Sequence, residues 1–229
     1  MKKRDKIFFY FGVLPALIFQ FIGALFYFFI LGDANVAKSV YSFTKVLILL
    51  WPIFWVILMK CKLPGVTAKS NVSRSILFGG MFSVILVVGV LFVYRLFSGF
   101  FVSSGVDILA KVEDWNVGNY YILFAVFVSI FHSALEEYYW RWFVLKGLMI
   151  KFSWFVSAFI GSIAFMSHHV IIISQFFSGW VVVLFSFIVF LLGFIWCFIY
   201  RKTGSLWGSW ISHIFADAVL LYVGYLLIS

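Results

Sequence analysis

The chain of 229 residues is 65% hydrophobic and 11% charged, contains 32 phenylalanines and has a mean hydropathy of +1.14. These values lie outside the range of soluble domains and predict a polytopic membrane protein. The net charge of +9 does not indicate a nucleic-acid partner, because the basic residues fall between apolar runs and form no basic face interleaved with aromatic residues.

In chain order, apolar runs of about 18 or more residues give seven candidate membrane spans. They lie at residues 7–31, 41–59, 76–97, 119–141, 155–177, 180–200 and 205–228. The sequence therefore predicts an all-α fold, a transmembrane helical bundle of about seven spans in a lipid bilayer.

The segments between these spans carry an uneven distribution of positive charge. With the N-terminus inside, thirteen Lys and Arg residues lie on the inner side and four on the outer side. Basic residues concentrate on the cytoplasmic side of membrane proteins. We expect a cytoplasmic N-terminus, an external C-terminus and a location in the bacterial inner (cytoplasmic) membrane.

The polar stretch Ser98–Gly118 divides the chain into two predicted units and would form an outer loop. Residues 1–118 hold three spans without an acidic residue or a histidine in their interiors, and we expect these spans to pack or to cradle a substrate. Residues 119–229 hold every candidate site residue and are predicted to be the catalytic core. Within them, Lys146–Trp154 has the composition of a segment lying in the cytoplasmic interface.

Two adjacent carboxylates and an arginine lie in the fourth predicted span. Ionisable residues at that depth cost about 2.5–3.5 kcal/mol each on insertion scales, so they are usually paired and usually functional. Because residues four apart share one face of a helix, the spacing predicts an ion pair between Glu137 and Arg141. Glu136, about 100° around the helix, is then free to face another helix.

The fifth and seventh spans supply imidazoles at comparable depth. We expect only one of the adjacent residues His168 and His169 to face the site, and the other to bond a backbone or interfacial group. Helix rise requires the fifth span to begin near Ser157 if His169 is to reach Glu136. A glutamate facing two imidazoles can activate a water, with the histidines polarising a carbonyl group, and a metal held by the histidines is a variant of this arrangement.

The same residues are also compatible with purely structural roles. The Glu137–Arg141 pair is also compatible with an ion-paired helix end, and His213 with Asp217 is compatible with a hydrogen-bonded pair between spans. His132 is expected to pack or to support the site rather than to act as a ligand. Ser209, His213 and Asp217 line up along one helix, which does not allow the mutual geometry of a serine-protease triad.

Three motifs occur in order on apolar segments. They are E-E-x-x-x-R from Glu136, F-x-x-x-H from Phe165 and H-x-x-x-D from His213. Together they resemble the CAAX protease and bacteriocin-processing family of intramembrane endopeptidases, also called the CPBP or Abi family. The resemblance covers Tyr120 to about Val223.

The resemblance implies a role for each matching residue. Glu136 corresponds to the general base, and His169 and His213 correspond to the two site histidines. Asp217, which stands where the family usually has Asn, completes the catalytic set that the resemblance implies. The supporting residues are predicted to be Glu137 and Arg141, together with His168, an additional imidazole without an assigned role.

The chain also departs from the family pattern. Trp142 replaces the Gly that often follows the arginine, and the charge of Asp217 favours a cation in the site. A divalent metal such as zinc would be held by His169, His213 and Asp217, and the sequence leaves open whether one is bound.

These observations predict an intramembrane endopeptidase for a hydrophobic or lipidated peptide, of the CAAX type or the bacteriocin-leader type, reached from the cytoplasmic leaflet. The first alternative is a non-catalytic immunity or scaffold protein of the same fold. A proton-coupled transporter that uses Glu136 and the histidines as a relay is a third interpretation.

Overall fold

The computed structural model describes residues 2–31, 34–59, 63–65, 69–102, 110, 112 and 118–228. Within them, seven helices are long and apolar enough to cross a membrane. They are α1 (Lys3–Ile30), α2 (Ala34–Met59), α3 (Val72–Leu96), α4 (Gly118–Leu148), α5 (Trp154–Ile173), α6 (Trp180–Thr203) and α7 (Trp207–Ile228). The predicted all-α bundle of seven spans is confirmed. Most of the predicted outer loop, at 103–109, 111 and 113–117, lies outside the described residues.

Helix α4 is longer than the sequence predicted. The segment expected to lie in the interface remains helical through Leu148 and then turns before Ser153, whose side chain caps α5 by accepting from Val156 N. The extension follows from packing, because Val144, Leu145 and Leu148 are fully buried among the other helices. The first part of Lys146–Trp154 therefore continues α4, and its position in the membrane interface stays a prediction.

Two π-helical stretches flank the acidic residues of α4. Val128–His132 precedes the α-helical turn Ser133–Glu137, and Tyr138–Leu145 follows it. Such wide turns change the direction of the side chains on either side and are frequent at functional sites. They set the angle at which the short acidic segment faces its neighbours.

Helix α1 packs closely against α4 and is joined to it by a hydrogen bond to a backbone carbonyl. The Tyr139 hydroxyl donates to the carbonyl of Ala16 at 2.6 Å. Gly147 allows this approach, because a Cβ atom there would lie 2.5 Å from a methyl group of Val13. These contacts fix the first helix beside the acidic segment, which brings Gln20 to the same level.

Helices α3 and α7 are joined by small residues. A Cβ atom added at Gly79 would collide with the backbone of Gly208. The hydroxyl of Ser75 accepts from Gly208 N at 2.8 Å and donates to the carbonyl of Ser205 at 3.0 Å. This contact fixes the start of α7, and hence the height of His213.

Large apolar side chains cover much of the outer surface, among them Phe43, Ile57, Val84, Ile122 and Trp180, all more than 60% exposed. A soluble monomer does not expose apolar surface on this scale. Lipid is the environment that matches this surface.

Candidate active site

The two adjacent glutamates of α4 are both 1% exposed, but they face different partners. Glu137 Oε1 lies 3.2 Å from Arg141 Nη1 and 2.9 Å from His213 Nδ1. Glu136 lies toward α5 and the histidine of its own helix. The spacing along α4 predicted the contact with the arginine but gave no sign of the contact between Glu137 and His213.

Arg141 is enclosed by aromatic rings as well as paired. Its guanidinium carbon lies 4.7 Å from the ring centroid of Phe165 and 5.1 Å from that of Trp196. Nη2 donates to the carbonyl of Gly193 at 3.4 Å. The charge of Glu137 is therefore balanced inside the bundle, and the pair joins α4 to α5 and α6.

Glu136 lies among three imidazoles. Its Oε1 atom is 3.3 Å from His168 Nε2 and 3.5 Å from His132 Nε2, while Oε2 is 3.8 Å from His213 Nε2. The three histidines come from α4, α5 and α7. Because a carboxylate accepts protons and imidazoles both donate and accept them, this cluster can bind and deprotonate a water.

His213 lies between acidic groups on three sides. Since Glu137 can only accept at Oε1, the Nδ1–H of His213 donates to it, which fixes the orientation of the ring. The Nε2 atom is 3.7 Å from Asp217 Oδ1, and the ring stacks on Trp196 with centroids 4.1 Å apart. The distances at Nε2 are longer than hydrogen bonds, so Asp217 acts on this ring mainly through its charge.

His168 and His169 both belong to the cluster, with ring centroids 4.1 Å apart. His169 Nδ1 lies 2.9 Å from the carbonyl of Phe165, one turn back, so it must donate there and leave Nε2 with a lone pair. His168 stacks on Trp140 and reaches Glu136. The expectation that one of the two bonds a backbone group is confirmed at His169, whereas the expectation that only one faces the site is wrong, because both rings line the cavity beside Glu136.

Helix α5 begins at Trp154, earlier than the start near Ser157 that helix rise alone required. The imidazoles of His168 and His169 reach Glu136 nevertheless, near the end of α5. The expected start assumed parallel, untilted helices, whereas helix tilt is set by packing against neighbours.

Gln20 of α1 was not predicted from the sequence. Its side chain is buried, and in the amide orientation that satisfies its neighbours the nitrogen donates to Glu136 Oε1 at 2.8 Å and to His168 Nε2 at 2.9 Å, while the oxygen accepts from Trp140 Nε1 at 3.3 Å. The signal in the sequence was an uncharged amide between Phe19 and Phe21, inside an apolar span. Because this amide carries no charge, it does not stand out among the ionisable residues of the apolar spans.

A cavity of about 30 Å³ adjoins the cluster, large enough for a water molecule. Its walls include His132, His168 and His169, together with α1 and α2 residues that lie outside the predicted catalytic core: Gln20, Ala24, Tyr41, Thr44 and Lys45. Gln20 and Ala24 lie in the second half of α1, whereas Tyr41, Thr44 and Lys45 lie in the first half of α2. The cavity thus lies in the half of the bundle away from the N-terminus.

One group of residues in the described part of the chain has the spacing of metal ligands. Ligand atoms of Glu136, His168 and His169 lie within 4.8 Å of one another. Two imidazole nitrogens and one carboxylate oxygen are a donor set that zinc accepts, and the bond from His169 Nδ1 to a carbonyl is typical of metal-binding histidines. This group shares only His169 with the predicted metal set of His169, His213 and Asp217.

A metal at this position would have to displace a protein contact. The amide nitrogen of Gln20 already joins Glu136 Oε1 and His168 Nε2, two of the three ligand atoms. The residues fit a cation by donor type, provided that this amide moves.

The comparison with known family models found a match in the C-terminal half of the chain, which contains Glu136 and the histidines. Residues 118–219 match the family model described as type II CAAX prenyl endopeptidase Rce1-like. These residues form an Rce1-like domain. The resemblance drawn from the three motifs is thereby confirmed, and among curated proteins and solved structures none matches the chain.

The Rce1-like domain contains Glu136, Glu137 and all four histidines, whereas Gln20 and Lys45 lie outside it. The Rce1-like domain and the seven apolar helices identify an integral membrane protein. The division into units 1–118 and 119–229 stays a prediction.

Proposed function

We propose that this protein is an intramembrane endopeptidase that hydrolyses a peptide bond near the C-terminus of a hydrophobic or lipidated peptide. The observation that carries the proposal is the environment of Glu136. Its buried carboxylate lies 3.3–3.8 Å from three imidazole nitrogens, beside a cavity that accommodates a water. The Rce1-like domain supports the reaction class.

In this mechanism Glu136 accepts a proton from a water in the cavity, and the water oxygen attacks the carbonyl carbon of the peptide. The carbonyl oxygen becomes an oxyanion, which accepts a hydrogen bond from an N–H group of the imidazoles around Glu136. When the C–N bond breaks, the proton on Glu136 passes to the leaving amine. The carboxylate is then ready for the next water.

The remaining groups orient this reaction. Glu137 holds the His213 ring at 2.9 Å, and Arg141 balances the charge of Glu137. If a divalent metal binds, Glu136, His168 and His169 would hold it, and it would polarise the peptide carbonyl. In that case Glu136 would serve as a ligand rather than as a free base.

The side of the membrane from which the peptide enters depends on orientation. The sequence predicted access from the cytoplasmic leaflet. With a cytoplasmic N-terminus, the half of the bundle that contains the cavity is the outer one, because Gln20 and Ala24 lie past the middle of α1. Access would then be from the outer half of the membrane.

Labelling of single cysteines tests the orientation. We expect a cysteine at Lys3 and one at Ser178, between α5 and α6, to react from opposite sides of the membrane in a background without Cys61 and Cys197, with Lys3 reacting from the cytoplasm. Reaction of both from one side would mean that a span is miscounted.

Cleavage of a defined peptide by the purified protein tests the activity. The probe is a quenched fluorescent peptide that ends in a farnesylated cysteine, two aliphatic residues and a serine. Wild type should cut it, and in ¹⁸O-labelled water the new carboxyl group should carry ¹⁸O. The double variant His168→Gln/His169→Gln serves as the control for contaminating proteases and should be inactive. Binding without cleavage by wild type would favour the scaffold interpretation.

A further inference from the structure

Lys45 brings a positive charge to the wall of the active-site cavity from outside the Rce1-like domain. It lies in α2, about 10 Å along the helix from Lys38. It is half-buried, and its ammonium nitrogen lies 4.7 Å from the ring centroid of Tyr41. Both side chains line the cavity together with the imidazoles.

The ammonium group of Lys45 has no acidic partner at ion-pairing distance among the residues that the structure describes. This differs from Arg141, which is paired with Glu137 at 3.2 Å. A charge inside a membrane span that is not neutralised by the protein marks a ligand or substrate pathway. The ring of Tyr41 stabilises the cation through its π face without accepting the strong hydrogen bonds that the ammonium can donate.

We propose that Lys45 binds the free C-terminal carboxylate of the peptide, an inference that rests on the proposed endopeptidase function. Every peptide offers this anion regardless of its side chains. Since Lys45 shares a cavity of about 30 Å³ with His168 and His169, an anion bound to it lies close to the attacked carbonyl.

The proposal makes Lys45 a specificity residue. It selects chain ends over internal segments and disfavours peptides whose terminus is amidated. The Rce1-like core then supplies the reaction, and α2 supplies the recognition of the chain end.

The test compares two versions of the farnesylated probe, one ending in a free carboxylate and one ending in the uncharged amide. Wild type should cleave the acid with a kcat/KM about 10- to 100-fold above that of the amide, mainly through KM, as expected for a hydrogen bond to a charged group. Lys45→Met should lower cleavage of the acid to the level of the amide and leave the amide unchanged. Lys45→Arg should restore the preference.

Lys38→Met is the matched control, because it removes the same charge from an exposed position on the same helix. It should retain the wild-type preference. Equal cleavage of acid and amide by wild type would overturn the proposal, while leaving the endopeptidase function intact. An equal loss on both probes in Lys45→Met would also overturn it, because that result indicates a contact with a lipid phosphate or a role in folding.

A binding measurement decides the question independently of turnover. Fluorescence anisotropy with Glu136→Gln protein should show tighter binding of the acid than of the amide, and adding Lys45→Met should remove the difference. Equal affinities would contradict the proposal. Absence of cleavage by wild type alongside a Lys45-dependent preference for the acid would instead count against the proposed activity and in favour of the carboxylate site.

Discussion

The four helices after residue 118 and the three before it contribute to one site in different ways. The later helices contribute the groups that can transfer protons, namely Glu136 and its three imidazole neighbours. The earlier ones contribute an amide and an ammonium group, from Gln20 and Lys45. The family match covers the first set and none of the second. The comparison suggests that the chemistry resides in the matched half, while the unmatched half shapes what binds.

Removing the charge balance within the matched half should have the largest effect on folding. Glu137→Gln leaves the buried Arg141 without its counter-charge and His213 without a carboxylate acceptor. In soluble proteins, breaking such a buried pair costs about 3–5 kcal/mol. We expect poor expression and a large fall in melting temperature, measured in detergent. Arg141→Gln should behave alike, whereas Arg95→Gln, at the end of α3, is the control.

A normal melting temperature for Glu137→Gln would show that the pair is not what joins α4 to its neighbours. The distinction between a supporting and a reacting carboxylate would then lose its basis.

The contribution of the unmatched half is tested next by Gln20→Leu. The change removes the amide that donates to Glu136 at 2.8 Å and to His168 at 2.9 Å. Hydrogen bonds to charged groups contribute about 1.5–3 kcal/mol, so cleavage should fall about 10- to 100-fold. Gln175→Leu, the same replacement between α5 and α6, should leave cleavage unchanged. If both variants cleave like wild type, the first helix only packs against the core.

The smallest effect is expected within the matched half, at Asp217. Its carboxylate lies 3.7 Å from His213 Nε2, and its side chain is 22% exposed. Asp217→Asn keeps the size of the side chain and removes a charge that makes no hydrogen bond to the ring. Cleavage should change by less than about threefold. A loss as large as that of Gln20→Leu would mean that the negative charge itself takes part in the reaction.

The sequence predicted the parts of this account that depend on spacing along one helix. Seven apolar runs predicted the seven helices, and the separation of four residues predicted the contact between Glu137 and Arg141, which is 3.2 Å. The order of the three motifs predicted the family. These predictions need only the periodicity of a helix and the length of a span.

Contacts between different helices could not be predicted from spacing along one helix. The position of His168 beside Glu136 depends on the tilt of α5 and on the bond from His169 to Phe165. The location of the cavity toward the far half of α1 follows from how that helix packs on α4, through Tyr139. Tilt and rotation are set by packing, which spacing along a single helix does not determine.

The central claim is that Glu136 takes the proton from water while Glu137 holds the structure. It is tested most directly by kcat/KM of Glu136→Gln for the farnesylated acid probe, corrected for the folded fraction and compared with wild type. Glutamine keeps the size and much of the hydrogen bonding of Glu136 but cannot accept the proton. The account predicts a fall of about 10²–10⁴, typical of a lost general base, with an unchanged melting temperature. Wild-type cleavage by Glu136→Gln, or instability equal to that of Glu137→Gln, would contradict it.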